Sequence, residues 1–301
     1  MTQSENSSNC GLPYWLSIPS NDTTSFTTDV VLCAVNIPFC IFAFLGNLAV
    51  ILAVIKTPSL QRPCNILLCS LATTDCLTGL VAQPIFVAWR LMIHRIHESC
   101  DYQVELFEAY HVSHAACVGW SLANLTLISF DRHYALAKPL VYRTSVTNKE
   151  AAQAATLTAT VWLLLTILMR FILPEFTAFM LGLAVGACFV ILPIMNHVGI
   201  FKAIRRHNNQ VIDAVAAQSA SILFRREKKA AIDMLIVIAV LLVFLVPAIA
   251  VNLFQGFIGD KFEVLYAWSI VGTYLNSSIN PLIYLVRNND IRSAVKSMMC
   301  F

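Results

Sequence analysis

The sequence SFDRHY, at Ser129–Tyr134, ends the third of seven long apolar stretches, and NPLIY, at Asn280–Tyr284, lies within the seventh. Both motifs place polar or charged side chains in strongly apolar surroundings, where such side chains are costly and usually functional. A further carboxylate, Asp75, lies inside the second stretch. Together these features predict a buried polar switch within a helical bundle.

The composition indicates a protein with a lipid-facing surface. The chain has 301 residues, 58% of them hydrophobic and 12% charged, and its mean hydropathy is +0.71. Soluble proteins carry about 25% charged residues, and a helix needs about 20 apolar residues to cross a bilayer. Stretches of that length lie near residues 30–55, 66–89, 110–130, 155–173, 176–200, 232–254 and 264–286. We therefore predict an all-α membrane protein, a seven-transmembrane helix bundle.

The distribution of basic residues predicts the orientation of the chain. All but four of the 20 Lys and Arg residues lie on one side of the predicted bundle. Because cytoplasmic loops are enriched in Lys and Arg, we expect a multi-pass plasma-membrane protein with its N-terminus outside and its C-terminus in the cytoplasm. The predicted parts are an extracellular segment (1–29), a membrane domain (30–286) and a cytoplasmic membrane-surface helix and tail (287–301).

The predicted outer side carries several features of its own. Asn6 and Asn21 begin glycosylation sequons. Cys10 and Cys100 lie in the compartment where disulfides persist, so a bridge between them is a candidate. Acidic residues outnumber the four outer bases, which predicts either a negative mouth that steers cations or an ordinary solvated rim. On the opposite side, Cys300 is a candidate for palmitoylation.

With these residues set out, the chain resembles the rhodopsin-like (class A) G-protein-coupled receptors, from Asn36 to its C-terminus. It has scattered features of the melanocortin, adenosine and amine receptors. The family's motifs occur in order: Gly46-Asn47-x-x-Val50, Leu71-Ala72-x-x-Asp75, Ser121, Asp131-Arg132-His133-Tyr134, Pro139-Leu140-x-Tyr142, Trp162, Pro193, Phe244-x-x-Pro247, Asn276 and Asn280-Pro281-x-x-Tyr284. The amphipathic stretch 287–299 matches the family's short helix along the membrane.

The resemblance implies an activation switch on the cytoplasmic side. Arg132 keeps its charge and needs an anionic partner; beside the adjacent Asp131, the family's second partner matches Glu227 on the sixth helix. A solvated surface pair of little energetic weight is the alternative. The remaining switch positions are two prolines that bend their helices and two polar residues of the seventh helix: Pro247, Pro281, Asn280 and Tyr284.

Asp75 has two possible states. Burial disfavours a charged carboxylate, so Asp75 could be neutral. Alternatively, the resemblance implies a sodium ion held by oxygen ligands from Asp75, Ser121, Asn276 and Asn280, all of which are present. No other cofactor is expected.

The resemblance also places an outer ligand pocket, although it does not identify the ligand. His114 stands where amine receptors carry an Asp, which disfavours a typical amine, and Tyr274 stands where opsins carry the retinal-linked Lys. Asn252 matches an Asn of adenosine-type receptors, and His111 and His114 are predicted to be core histidines rather than a metal or pH-sensing site. The candidate pocket residues are His111, His114, Ala115, Ala248, Asn252, Trp268, Ile270 and Tyr274.

Three departures from the family pattern bear on activation. Phe107 lies near the position of the family's outer Cys, so the usual bridge is missing; Leu245 replaces a Trp, and Phe201 replaces a Tyr. We expect a receptor that transmits an extracellular ligand to a heterotrimeric G protein through outward movement of the sixth helix. The expected partners are that ligand, the G protein and the lipid bilayer, with no nucleic acid. A seven-helix transporter or ion pump is the alternative, and an enzyme is not expected because no catalytic motif is visible.

Overall fold

A computed structural model describes residues 23–92, 100–210, 217–254 and 262–299. The described residues are helical, without strands, which confirms the predicted all-α class. We label the seven long helices and the C-terminal helix α1 to α8: α1 Thr23–Lys56, α2 Pro63–Met92, α3 Cys100–Ala137, α4 Asn148–Ile172, α5 Glu175–Gln210, α6 Ala217–Leu253, α7 Phe262–Arg287 and α8 Asn289–Met299. The predicted modification sites Asn6, Asn21, Cys10 and Cys300 lie outside the described residues, as does the side chain of Cys100.

Five of these helices, α1, α2, α4, α5 and α6, are long and apolar enough to cross a membrane. The two more polar helices lie among them: α3 packs against α2, α4, α5 and α6, and α7 packs against α1 and α6. This arrangement gives polar side chains of α3 and α7 protein neighbours instead of lipid. We call the end of the bundle near Lys56, Arg132 and Arg287 the basic end, and the other the opposite end.

The helices are longer than the predicted spans. α1 begins at Thr23, inside the predicted N-terminal segment, and α3 begins at Cys100. α5 ends at Gln210 and α6 begins at Ala217, so both continue beyond the predicted apolar spans. Hydropathy marks only the apolar part of a helix, whereas backbone hydrogen bonding continues into polar sequence.

A π-helical turn at Thr78–Ala82 interrupts α2 where it lies closest to α1. A Cβ atom on Gly79 would lie 2.7 Å from the carbonyl oxygen of Cys40 and 2.8 Å from the amide nitrogen of Phe44. The Cys40 thiol donates to the Gly79 carbonyl at 2.8 Å. Glycine is therefore needed here because the two backbones touch.

A second close contact joins α3 to α4 at Gly119. The ring of Trp162 lies directly over this residue, and a Cβ on Gly119 would be 1.7 Å from Trp162 Cζ2. The indole Nε1 donates to the carbonyls of Ala115 at 3.2 Å and Ala116 at 3.0 Å. These bonds fix the ring, so it cannot easily make room for a larger residue.

We predict that Gly119→Ala destabilises the protein, because overpacking of a fixed contact costs about 1–3 kcal/mol. The matched control is Gly182→Ala, since nothing lies within 4 Å of a Cβ at Gly182; helical Gly→Ala there should be neutral or stabilising. Thermal unfolding of the purified variants measures both. A Gly119→Ala protein as stable as the control would contradict the contact.

Candidate functional site

The first part of the site is a buried positive charge, Arg132, on α3 at the basic end of the bundle. Arg132 is 2% exposed. Its Nε donates to Asp131 Oδ2 at 2.9 Å, and its Nη1 contacts the Glu227 carboxylate on α6. Its Nη2 contacts Asp131 and donates to the Tyr142 hydroxyl at 3.1 Å. Two carboxylates and a phenol therefore surround a guanidinium that cannot lose its charge.

Tyr142 completes this cluster from the short helix Pro139–Ser145, which links α3 to α4. Its hydroxyl donates to Asp131 Oδ1 at 2.9 Å while accepting from Arg132. Burial raises the pKa of the Tyr142 phenol, so the group stays protonated and able to donate. The sequence analysis placed Tyr142 in a family motif without giving it a role; its position three residues after Pro139 was the available signal.

A second ion pair at the basic end was not expected from sequence. Arg287 of α7 donates through Nε to Asp233 Oδ1 of α6 at 2.7 Å. Beside it lies a cavity of about 230 Å³ lined by residues of α2, α3, α6, α7 and α8, among them Arg132 and Glu227. Tyr284 also lines this cavity; its hydroxyl is buried and has no hydrogen-bond partner among the described residues.

His133, which replaces the family's usual Tyr, faces α5. Its Nδ1 lies 3.3 Å from Asn196 Oδ1, and Asn196 Nδ2 in turn donates to Ser129 Oγ at 3.1 Å. These contacts of Asn196 with His133 and Ser129 join α3 to α5, and His133 directly follows Arg132 in the sequence. The substitution therefore adds an interhelical contact and leaves Arg132 with its own partners.

Asp75 joins three helices at the centre of the bundle and is fully buried. Asn280 Nδ2 donates to its Oδ2 at 2.7 Å, Ser277 Oγ donates to its Oδ1 at 2.7 Å, and Ser121 Oγ lies 3.5 Å from Oδ1. Ser277, which the sequence analysis did not select, thus makes a short contact, while no hydrogen bond between Asn276 and Asp75 occurs in the described part of the chain.

Buried oxygen atoms of α1 and α7 bear on the predicted sodium ion. Three buried amide oxygens, Oδ1 of Asn47, Asn276 and Asn280, lack hydrogen-bond partners within the described ranges. Asn47 is tied to α7 because its Nδ2 donates to the Ser277 carbonyl at 3.0 Å. Carboxylate, hydroxyl and amide oxygens are ligands for hard cations, so this donor set fits a small cation.

The two hinge prolines lie inside long helices, Pro247 in α6 and Pro281 in α7. Each removes one backbone donor and disturbs the preceding turn. Asn280 and Pro281 are neighbours, so the contact of Asn280 with Asp75 forms at the point where α7 can bend.

At the opposite end, aromatic side chains fill the centre of the bundle. His114 Nδ1 lies 3.1 Å from the hydroxyl of Tyr274, and the Tyr110 and Tyr266 hydroxyls lie 3.1 Å apart. Trp89 stacks on Tyr110 with ring centroids 4.6 Å apart. Two predicted pocket residues, His114 and Tyr274, therefore meet.

The remaining predicted pocket residues differ from one another in their burial and their contacts. Ile270 and Ala248 are buried, and Asn252 Nδ2 donates back to the Ala248 carbonyl at 2.8 Å. The Ala115 carbonyl accepts from Trp162, and the His111 ring lies 6.0 Å from that of Phe107.

Trp268 differs in exposure from the pocket candidates that follow it on α7, and its place in the pocket stays a prediction. Trp268 is 40% exposed, whereas Ile270 and Tyr274 are buried. Residues four apart share one face of a helix, and Trp268, two positions before Ile270, turns toward the outside of the bundle.

A buried ion pair near the opposite end was also missed. Asp29 of α1 accepts from Arg90 Nε of α2 at 2.9 Å, and both side chains are 1% exposed. Both residues lie toward the predicted outer side, where they are buried and paired with each other instead of forming part of a solvated rim. Their separation by 61 positions hides the pairing from any local pattern.

Comparison with known proteins agrees with this geometry. A family model described as "7 transmembrane receptor (rhodopsin family)" matches residues 46–284. Trace amine-associated receptor 7d of Rattus norvegicus is 30% identical over 85% of this chain and 78% of its own length. The human histamine H2 receptor is 25% identical over 94% of this chain and 84% of its own.

Cannabinoid receptor 1 of Xenopus laevis is 25% identical over 89% of this chain. The match spans 63% of that receptor, less than two thirds of its length. The family model covers most of the chain, including the Asp75, Arg132 and Asn280–Tyr284 positions. The chain therefore belongs to the rhodopsin family of seven-transmembrane receptors.

Proposed function

We propose that this receptor transmits binding of an extracellular ligand to a heterotrimeric G protein. The observation that carries the proposal is the contact between Arg132 on α3 and Glu227 on α6. It ties together two helices whose separation would open the basic end. A ligand shifts such an equilibrium only by binding one arrangement more tightly than the other.

The proposed mechanism is outward movement of α6. As α6 moves, Glu227 separates from Arg132 and Asp233 separates from Arg287. Both of these ion pairs of α6 are lost together. The cavity beside Arg132 and Tyr284 then widens into a cleft for the G protein. Pro247 and Pro281 let the basic ends of α6 and α7 turn while the remaining bundle stays packed.

We further propose that the receptor lies in the plasma membrane with its N-terminus outside and its basic end in the cytoplasm. The support is the excess of Lys and Arg at that end, which is characteristic of cytoplasmic loops. We propose no enzymatic activity for this receptor, since the proposed mechanism is a change in the packing of its helices.

A transporter or ion pump is the second candidate. It would draw on the buried Asp75, because intramembrane carboxylates often lie on ion pathways. Asp75 is held by three helices, and the Arg132 cluster has no role in transport, so the receptor mechanism accounts for more of the described contacts. Loss of G-protein activation in Arg132→Ala separates the two.

The ligand site is proposed at the aromatic cluster around His114 and Tyr274. The named relatives include histamine, trace amine-associated and cannabinoid receptors, so they do not agree on one ligand class. A ligand reaching this cluster would compete with the bond between His114 and Tyr274. That bond is partly buried and joins α3 to α7, so its loss would change the packing of both helices.

We also propose that sodium binds at Asp75 and stabilises the closed arrangement. The support is the set of buried amide oxygens on Asn47, Asn276 and Asn280 that lack hydrogen-bond partners within the described residues. Asp75, Ser121, Asn280 and Asn276 would hold the ion, with Ser277 as an added ligand. A bound cation supplies a charge that balances the buried carboxylate.

We predict that Glu227→Ala raises ligand-independent G-protein activation by roughly fivefold or more, because a contact present only in the closed state is lost. Basal nucleotide exchange on a co-expressed G protein, at equal surface expression, measures the effect. Glu105→Ala is the control, since Glu105 is an exposed carboxylate on α3 that does not line the cavity beside Arg132. Unchanged basal exchange in Glu227→Ala would rule out the proposed clasp.

For the cation site, we predict that NaCl raises the Tm of the purified receptor relative to choline chloride at equal ionic strength. Ligand at ten times its Kd stabilises a protein by about 1.4 kcal/mol. The sodium effect should disappear in Asp75→Asn, which loses the charge but keeps the shape.

Two neighbouring serines provide the matched control for this experiment. Ser277→Ala should weaken the sodium effect, while Ser278→Ala should keep it, since Ser278 Oγ donates to the Phe39 carbonyl at 2.9 Å instead. A sodium effect that persists in Asp75→Asn would remove the ion from this site.

A further inference from the structure

A second cavity lies on the outside of the bundle, between α3 and α4 at the basic end, and its volume is about 650 Å³. Small-molecule sites commonly measure about 300–1,000 Å³. We call it the α3–α4 groove, and its apolar wall is formed by Leu67, Leu127, Phe130, Tyr134, Ala151 and Ala154. The groove is separate from both the Asp75 site and the cavity beside Arg132.

The charges at its rim favour an anionic occupant. Lys138 lines the groove and is exposed, and Arg143 and Lys149 follow in the same connection. Two acids also line it. Glu150 is exposed and keeps its negative charge while its Oε2 accepts from the Thr147 amide at 2.7 Å, so the bases of this connection outnumber it. The last charged lining residue, Asp131, is held by Arg132 and Tyr142.

We propose that the α3–α4 groove binds one anionic phospholipid, with an acyl chain on the apolar wall and the headgroup phosphate at Lys138. In the orientation proposed above, the basic end lies at the cytoplasmic leaflet, where anionic headgroups attract basic residues. An apolar wall alone would accept any lipid chain. The adjoining bases supply the preference for a negative headgroup.

The bound lipid would act on the switch through Tyr134. The Tyr134 ring contacts Tyr142 edge-on at 5.9 Å between centroids, and Tyr142 bridges Arg132 and Asp131. A chain packed on Tyr134 supports this arrangement and so stabilises the closed receptor. This effect, unlike the binding itself, rests on the proposed function.

Native mass spectrometry of the full-length purified receptor tests the binding. Phosphatidylserine and phosphatidylcholine with identical acyl chains are the probes, and we expect phosphatidylserine adducts to dominate. Lys138→Ala should weaken phosphatidylserine binding about fivefold, and Lys202→Ala, an exposed base on α5, should not. Equal binding of the two lipids, or equal losses in the two variants, would overturn the proposal.

Ala154→Phe adds a steric test by filling the groove. It should abolish the phosphatidylserine adduct while leaving the Tm unchanged; if the Tm falls, the comparison of Lys138→Ala with Lys202→Ala decides alone. In vesicles, phosphatidylserine should lower basal G-protein activation of the wild type but not of Lys138→Ala. A receptor that binds the lipid yet never activates a G protein would refute the proposed function and leave the lipid site standing.

Discussion

The permanent charge of Arg132, buried almost completely, is the constraint on which the basic end of this receptor depends. A guanidinium cannot escape burial by losing a proton, so every nearby element must supply an acceptor. Asp131 does so from the same helix, Tyr142 from the following short helix and Glu227 from α6. Removing one partner of a buried ion pair costs more than the pair itself contributes. The closed packing of α3 and α6 follows from this requirement.

At the centre of the bundle, the buried carboxylate of Asp75 likewise needs hydrogen-bond partners from neighbouring helices. Asp75 draws hydroxyl and amide donors from α3 and α7, and the buried amide oxygens of Asn47, Asn276 and Asn280 have no donor among the described residues. Between the two sites, α7 carries residues of both, Asn280 at Asp75 and Tyr284 at the cavity beside Arg132. A change of packing at one site therefore has a direct structural route to the other.

The sequence predicted helices and contacts correctly where the residues belong to a recognisable motif or apolar span. The seven helices, the partnership of Arg132 with Glu227 and two of the residues around Asp75, Ser121 and Asn280, were expected from ordered motifs and apolar length. The sequence did not predict contacts that depend on how a helix is rotated about its own axis. Whether Ser277 or Asn276 contacts Asp75 depends on about 100° of rotation about the axis of α7. The exposure of Trp268 depends on the rotation of the same helix. The pairs Asp29–Arg90 and Asp233–Arg287 join distant segments, and nothing local marks them.

The π-helical turn in α2 has an effect on how this chain can be compared with its relatives. Such a turn accommodates one more residue than an α-helical turn does, so side chains beyond Ala82 are rotated about the helix axis relative to an uninterrupted α2. Phe86, Trp89 and Arg90 all lie beyond it and owe their inward direction to that offset. An alignment that pairs α2 residue by residue with a receptor lacking the turn would assign these three positions to the wrong neighbours.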